Sequence, residues 1–297
     1  MISVNILDWS LKMLSKEQID EFHSKGYLVL KDLFTPAECD ALMKRCGEFV
    51  DDFDFSTHPK SVFSTVSPKR DDYFMASGDK IRFFLEDGVL DEKGNLNRSK
   101  HLAINKMGHG FHYLDPIFKN MTFDKRIQNI IKSLEFKKPK IPQSMYIFKQ
   151  PKIGGVVTPH QDATFLMTKP SKVVGVWIAL EDATLENGCL WFIPGSHTKQ
   201  VTRKMIRNPE GTSPPTIYVG KEEDYDMSKF IPAEVTRGSC VLIHGEVVHK
   251  SEQNTSDRSR QIYTFHIYES DQTEWTKENW LQPTDEHPFP LLYTNED

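Results

Sequence analysis

The sequence predicts an α+β chain that is mainly β: a sandwich or closed barrel of short strands, preceded by supporting helices. Three observations predict it. After Pro142 the apolar residues gather into short β-rich runs at 144–148, 173–180, 190–193, 239–244 and 260–268. Turn signals separate these runs: Gly154-Gly155, Glu186-Asn187-Gly188, Pro194-Gly195-Ser196 and Arg237-Gly238. Before Pro142 the apolar residues instead recur at spacings of three and four, the helical period.

The elements follow in chain order. Ser15 with Gln18 forms a capping box that starts a helix, and Gly26 stops it. Residues 27–30 (Tyr-Leu-Val-Leu) make a short strand. Thr35 caps a second helix with Pro36 at its first position, and Cys39, Leu42, Met43, Cys46 and Phe49 form its core-facing stripe. Residues 51–72 are polar and Ser/Asp-rich, a lid candidate. Ile127, Ile130, Ile131 and Leu134 mark an amphipathic helix over 123–136. The stretch 203–231 is long, Pro-rich and mixed in charge, and segments of that kind are often active-site loops. There are no repeats and no linker composition. The 297 residues form one domain, with 1–140 as helical support and lid region and 141–297 as the β core.

Composition excludes several classes. Apolar residues make up 38% and charged residues 27%, as in ordinary globular chains. A formal charge of −5 gives no basic face for nucleic acid. No run of 18 apolar residues exists to cross a membrane. Residues 1–12 lack the basic start and apolar stretch of a signal peptide, and the end at 294–297 is no peroxisomal address. Cys39, Cys46, Cys189 and Cys240 are scattered without a CxxC pair, so a reducing cytoplasm is the expected setting.

The chemistry centres on Pro159-His160-Gln161-Asp162. In an extended strand, residues i and i+2 face the same way. His160 and Asp162 then aim an imidazole and a carboxylate at one point. Two His and one carboxylate on one face of an octahedron leave open positions, the arrangement suited to ferrous iron and oxygen. The second histidine lies downstream, and spacing leaves His197, His244, His249 and His266 as candidates. His197 follows a turn, His244 ends a β run, His266 lies within the last strand, and His249 begins a polar loop. Arg260 shares a face with Ile262 and Thr264. An inward guanidinium is costly unless an anion meets it. The far carboxylate of a keto acid would meet it bidentately, whereas Arg258 reads as surface.

The set His160-x-Asp162, Asn187-Gly188-Cys189-Leu190, Pro194-Gly195-Ser196-His197 and His249-x-Ser251-x-x-Asn254 with Arg260 resembles the phytanoyl-CoA dioxygenase family. The opening Phe22-x-x-x-Gly26-Tyr27-Leu28-Val29-Leu30 is similar as well, so the resemblance covers nearly the whole chain. In that family the second ligand histidine precedes the keto-acid arginine by eleven positions, which selects His249 and Arg260. The resemblance implies a double-stranded β-helix (a cupin-like jelly roll). It also implies iron(II) on His160, Asp162 and His249, with 2-oxoglutarate and O2 as co-substrates. Co-substrate contacts are implied at Arg260, Lys106, Met145, Gln161, Trp177 and Ser251. An intact Asp162 favours hydroxylation over halogenation. The expected reaction is hydroxylation of a small organic or acyl substrate, with release of succinate and CO2. Two other readings compete: a catalytically inert metal-binding barrel acting as sensor or adaptor, and a metal hydrolase of the cupin type, which has no use for an inward Arg260. Neither the substrate nor the oligomeric state is legible.

Overall fold

The computed structural model describes residues 13–66 and 70–294. The expectations for 1–12, for the three-residue end of the chain and for 67–69 within the lid candidate lie outside the described residues.

The first helix, α1 (Lys16–Lys25), starts where its capping box predicts. Gln18 N–H donates to Ser15 Oγ at 3.3 Å, and Ser15 N–H donates to Gln18 Oε1 at 2.9 Å. It stops at Gly26, whose φ of 81° a side chain would resist. Then come β1 (Tyr27–Leu30) and α2 (Pro36–Asp52), which carries the second capping box, Thr35 with Glu38. Next are α3 (Asp72–Met75), β2 (Ile81–Leu85), β3 (Ile104–His109), α4 (Phe111–Leu114), α5 (Pro116–Thr122) and α6 (Lys125–Ser133). The remainder is β4 (Pro139–Ile147), β5 (Val157–His160), β6 (Thr168–Lys169), β7 (Val173–Ala179), β8 (Leu190–Phe192), β9 (Arg203–Arg207), β10 (Thr216–Gly220), β11 (Ile231–Ala233), β12 (Cys240–His244), β13 (His249–Ser251), β14 (Ile262–Glu269) and β15 (Glu274–Trp275).

Two sheets carry the architecture. A seven-stranded sheet runs β1-β12-β7-β14-β4-β3-β2, and a four-stranded sheet runs β11-β8-β13-β5. All these strand pairings are antiparallel. This is the cupin-like jelly roll, with non-consecutive strands side by side in both sheets.

Side-chain alternation divides the large sheet. One face presents Val174, Val176, Ile178, Leu242, Tyr263, Phe265 and Ile267 to the helices, where Cys39, Leu42, Cys46 and Val50 of α2, Phe118 of α5 and Ile127, Ile130 and Ile131 of α6 complete one core. The other face presents Trp177, Ala179, Val241, Ile243 and Ile262 to Leu190 and Phe192 of the small sheet. Covered on both faces, β7 reads as a continuous buried run rather than as an alternation.

Three expectations need correction. The N-terminal part is more than support, because β1, β2 and β3 are strands of the large sheet itself. In β3, Asn105, Lys106 and Gly108 are poor strand formers, and pairing with β4 overrides local propensity. The stretch 203–231 is not one loop: β9 and β10 pair as a hairpin, with Ile217 opposite Ile206. Arg260 precedes β14 instead of beginning it.

The entry to β12 turns at Gly238. Its φ is +83°, and an added Cβ would stand 2.1 Å from the Phe34 carbonyl oxygen. Gly238→Ala is therefore expected to lower unfolding stability by about 1–3 kcal/mol, read from urea midpoints. An unchanged midpoint would contradict this close approach.

Candidate metal centre and its cavity

The pairing of β13 with β5 sets His249 opposite His160, with ring centroids 4.2 Å apart. His160 ends β5, Gln161 is extended (φ −119°, ψ 135°), and Asp162 opens a short 3-10 turn. A strand through Asp162, as the sequence suggests, is not what forms. The Asp162 carbonyl instead accepts from Phe165 and Leu166 N–H, which bends the chain. The extended Gln161 alone preserves the i, i+2 relation.

One ligand atom from each of His160, Asp162 and His249 lies within 4.8 Å of the other two. Asp162 Oδ1 is 3.7 Å from His160 Nε2 and 3.8 Å from His249 Nε2. The tautomers follow from the opposite ring nitrogens. His160 Nδ1 is 2.8 Å from the Thr158 carbonyl, and His249 Nδ1 is 3.1 Å from the Val247 carbonyl. A carbonyl only accepts, so each Nδ1–H donates and each Nε2 lone pair faces inward. Burial, then the neighbouring His249, lowers the His160 pKa to about 4. Three lone-pair donors thus face one another with no proton to share, and a cation satisfies them. The residues fit a divalent metal of the 2-His-1-carboxylate kind.

A second chain of contacts orients the carboxylate. The Gln143 side-chain amide donates to His266 Nδ1 at 3.2 Å, so His266 Nε2 carries the proton and donates to Asp162 Oδ2 at 3.1 Å. Burial pushes the Asp162 pKa up, but the His266 and His249 imidazoles outweigh it and hold the carboxyl below its ordinary range. Gly175 leaves the room, since a Cβ there would stand 3.3 Å from Asp162 Oδ2.

His160, Asp162 and His266 line a cavity of about 380 Å³ together with Lys106, Met145, Lys149 and Arg260. His249 joins the ligand cluster without contributing to that lining. Arg260 is 2% exposed, and its guanidinium stacks 5.4 Å from the Trp177 ring. Its Nε and Nη1 have no hydrogen-bond partner. Burial lowers its pKa to about 10, so it stays charged at neutral pH. A buried cation with open N–H groups beside a cavity fits a carboxylate. Lys106 is also buried, with Nζ 3.6 Å from Met145 Sδ and 3.5 Å from the Phe63 ring centroid. Burial, then Arg70, holds its pKa well below the ordinary lysine value.

Three implied co-substrate contacts, like His249, stand outside the cavity-lining residues, although the Trp177 ring lies under the Arg260 guanidinium. Gln161, Trp177 and Ser251 do not line the cavity. Gln161 Nε2 donates to the Glu246 carbonyl at 2.6 Å, and Ser251 Oγ donates to the Gly188 carbonyl at 2.8 Å. Trp177 packs in the core beside Ala179 and Ile262. Among the other histidines, His197 Nε2 bonds the His23 carbonyl, and His244 Nδ1 accepts from Glu246 N–H. The roles of His266 and Gln143 are missing from the sequence reading. Their signal was strand parity: 260, 262, 264 and 266 share one face, as do 143, 145 and 147.

Comparison with known proteins agrees with this geometry. The phytanoyl-CoA dioxygenase (PhyH) family profile matches residues 22–262. The chain is 54% identical over 291 residues to phytanoyl-CoA dioxygenase domain-containing protein 1 of Danio rerio, covering 96% of this chain and 100% of the relative. It is 43% identical over 280 residues to a phytanoyl-CoA dioxygenase of Arabidopsis thaliana, covering 94% and 96%. Among solved structures, the apo form of EctD from S. alaskensis superposes with a TM-score of 0.64 at 16% identity, covering 95% of this chain and 89% of that one. The epimerase SnoN, solved with Fe3+ and alpha ketoglutarate, superposes with a TM-score of 0.61 at 14% identity, covering 93% and 98%. The chain belongs to the phytanoyl-CoA dioxygenase family and has the fold of the iron- and 2-oxoglutarate-dependent dioxygenases.

The His266 contact makes a specific forecast. His266→Phe is expected to weaken Co(II) binding by roughly 10–100-fold in calorimetry while the chain stays folded. Wild-type affinity in the variant would show that this contact does not orient Asp162.

Proposed function

We propose that this member of the phytanoyl-CoA dioxygenase family is an iron(II)- and 2-oxoglutarate-dependent dioxygenase that hydroxylates a small organic or acyl substrate. The observation that carries the reading is Arg260: a buried, charged guanidinium with two unpartnered nitrogens, lining the same cavity as His160 and Asp162. A metal-binding barrel with no anionic co-substrate has no need of it, and a hydrolase has none either.

In this reading His160, Asp162 and His249 hold the iron, and Arg260 donates to the far carboxylate of the keto acid. When bound, iron and 2-oxoglutarate supply the activation of O2, with succinate and CO2 as by-products. The chain's own residues supply geometry and exclude water. Met145 and Ile147 of β4 line the cavity with His160, Asp162 and Arg260, and Lys106 brings its amine from the neighbouring strand β3. Phe63 and Val66 from the lid candidate, Tyr218 from the β9–β10 hairpin and Trp280 cover the rest. Gln143 and His266 keep Asp162 ionised and aimed. Among the described residues no helix is long and apolar enough to cross a membrane.

The experiment is succinate release from 2-oxoglutarate by anaerobically iron-loaded protein, exposed to oxygen without added substrate. Slow, iron-dependent release is expected. Arg260→Ala should raise the KM for 2-oxoglutarate by about 100-fold, the scale for removing one partner of a buried charge pair (~3 kcal/mol). An unaltered KM would contradict the role of Arg260.

A further inference from the structure

The keto acid brings an anion to the cavity, but one lining group needs the opposite partner. His109 ends β3 and lines the cavity. Its backbone N–H donates to the Lys80 carbonyl at 2.7 Å, and its Nδ1 is 2.8 Å from Ser77 Oγ. Ser77 Oγ is also 2.5 Å from the Phe74 carbonyl, which only accepts, so the hydroxyl proton goes there. Nδ1 therefore carries the ring proton and donates to Ser77. Burial, then Lys106, holds the His109 pKa well below the ordinary imidazole value, so the ring is neutral and Nε2 is a bare lone pair. No donor among the described residues reaches Nε2, which is left to the cavity. The ring is wedged against Phe74, Phe84 and Trp280, with centroids 5.4, 5.8 and 5.1 Å away, and it cannot turn without losing Ser77. In a cavity cleared of water, such a lone pair is costly unless a donor meets it.

The strand registers set His109 apart from the keto-acid arginine. Lys106 lies opposite Ile147, and Ile147 opposite Ile262, two residues past Arg260. His109 lies opposite Ser144, and Ser144 opposite Phe265, next to His266. Three residues of strand span about 10 Å, so His109 stands that far along β3 from Lys106, toward the histidine that orients Asp162. The Lys106 side chain reaches back: its Nζ is 5.5 Å from the Phe74 ring and 5.6 Å from that of Phe84, the rings that His109 also touches. The wall at this end is apolar and aromatic, made of Phe74, Phe165, Met205, Tyr218 and Trp280.

We propose that His109 selects the primary substrate, an alcohol with an apolar body, whose hydroxyl donates to Nε2 while the body lies against the aromatic wall. This rests on the dioxygenase reading of the same cavity. A carboxylate has no proton for Nε2, and the aromatic wall offers no carboxylate to an ammonium. A hydroxyl gives its proton to Nε2 and can accept from Lys106 Nζ, which otherwise donates to a weak acceptor, Met145 Sδ at 3.6 Å. Because Ser77 and the three rings hold the imidazole in one orientation, the hydroxyl is held in one place. That fixes which carbon of the substrate meets the metal.

The test uses iron-loaded protein saturated with 2-oxoglutarate, without oxygen. 4-Phenylbutan-1-ol and 1-fluoro-4-phenylbutane, in which fluorine replaces the hydroxyl, are titrated by calorimetry. His109→Phe and His109→Gln are run beside the wild type. The alcohol is expected to bind the wild type about tenfold tighter than the fluoride, the scale for leaving a buried acceptor unmet. His109→Phe should abolish that preference by weakening the alcohol alone. His109→Gln, whose side-chain carbonyl can accept, should restore part of it. Equal binding of alcohol and fluoride by the wild type, no binding of the alcohol, or a preference that survives His109→Phe overturns the proposal. An equal loss of both probes in His109→Phe also overturns it, since a merely structural role would act that way. So does weakened 2-oxoglutarate binding in His109→Phe, which would move His109 into the co-substrate site. Should His109→Phe fail to fold, the wild-type comparison and His109→Gln still decide. A wild type that binds neither iron nor 2-oxoglutarate instead contradicts the dioxygenase reading beneath it.

Discussion

Three electron-pair donors that face one another without a proton between them are the constraint on which the rest depends. His160 Nε2, His249 Nε2 and Asp162 Oδ1 repel unless a cation lies among them. Their geometry is held by backbone. The Thr158 and Val247 carbonyls accept from the two Nδ1–H groups, and the β5–β13 register sets the rings side by side, 4.2 Å apart and tilted. The small sheet stays in place because Leu190 and Phe192 pack on Trp177, Val241 and Ile243 of the large one. The helices on the far face seal the large sheet's other side. The jelly roll is thus the means by which two distant histidines become cross-strand neighbours.

Parity of the large sheet distributes charge across the cavity. Residues 260, 262, 264 and 266 of one chain segment share a face, and the first and last of them are the keto-acid arginine and the histidine that orients Asp162. The next strand contributes Gln143, Met145 and Ile147 on that face, and β3 contributes Lys106. Polar groups alternate with apolar ones, so each cation sits on a hydrophobic floor. Such cations are costly alone and favourable with an anion, which makes the cavity selective for anionic ligands.

Local chemistry was legible in the sequence. The capping box at Ser15, the cap at Thr35 and the stop at Gly26 depend on neighbours within four residues, and they appear as expected. The His160-x-Asp162 pair was legible by spacing, although its secondary structure was not, since one extended residue suffices. His249 could not be separated from three other histidines by local signals. Only the eleven-residue interval to Arg260 selects it, because cross-strand pairing leaves no mark in nearby sequence. The β9–β10 hairpin was hidden for the opposite reason: Arg203, Lys204 and Arg207 make a half-buried strand look like loop. Gln161 and Ser251 lie close to metal ligands in sequence, yet their side chains donate to carbonyls far away in the chain, Glu246 and Gly188, which no local signal reveals.

The most direct measurement is an anaerobic titration of the iron(II)-loaded protein with 2-oxoglutarate, followed by visible absorption. The account predicts a charge-transfer band that saturates at about one keto acid per chain and is absent in Asp162→Ala, because the chelated complex needs the open face that the three ligands leave. No band in the wild type, or an equal band in Asp162→Ala, would contradict it.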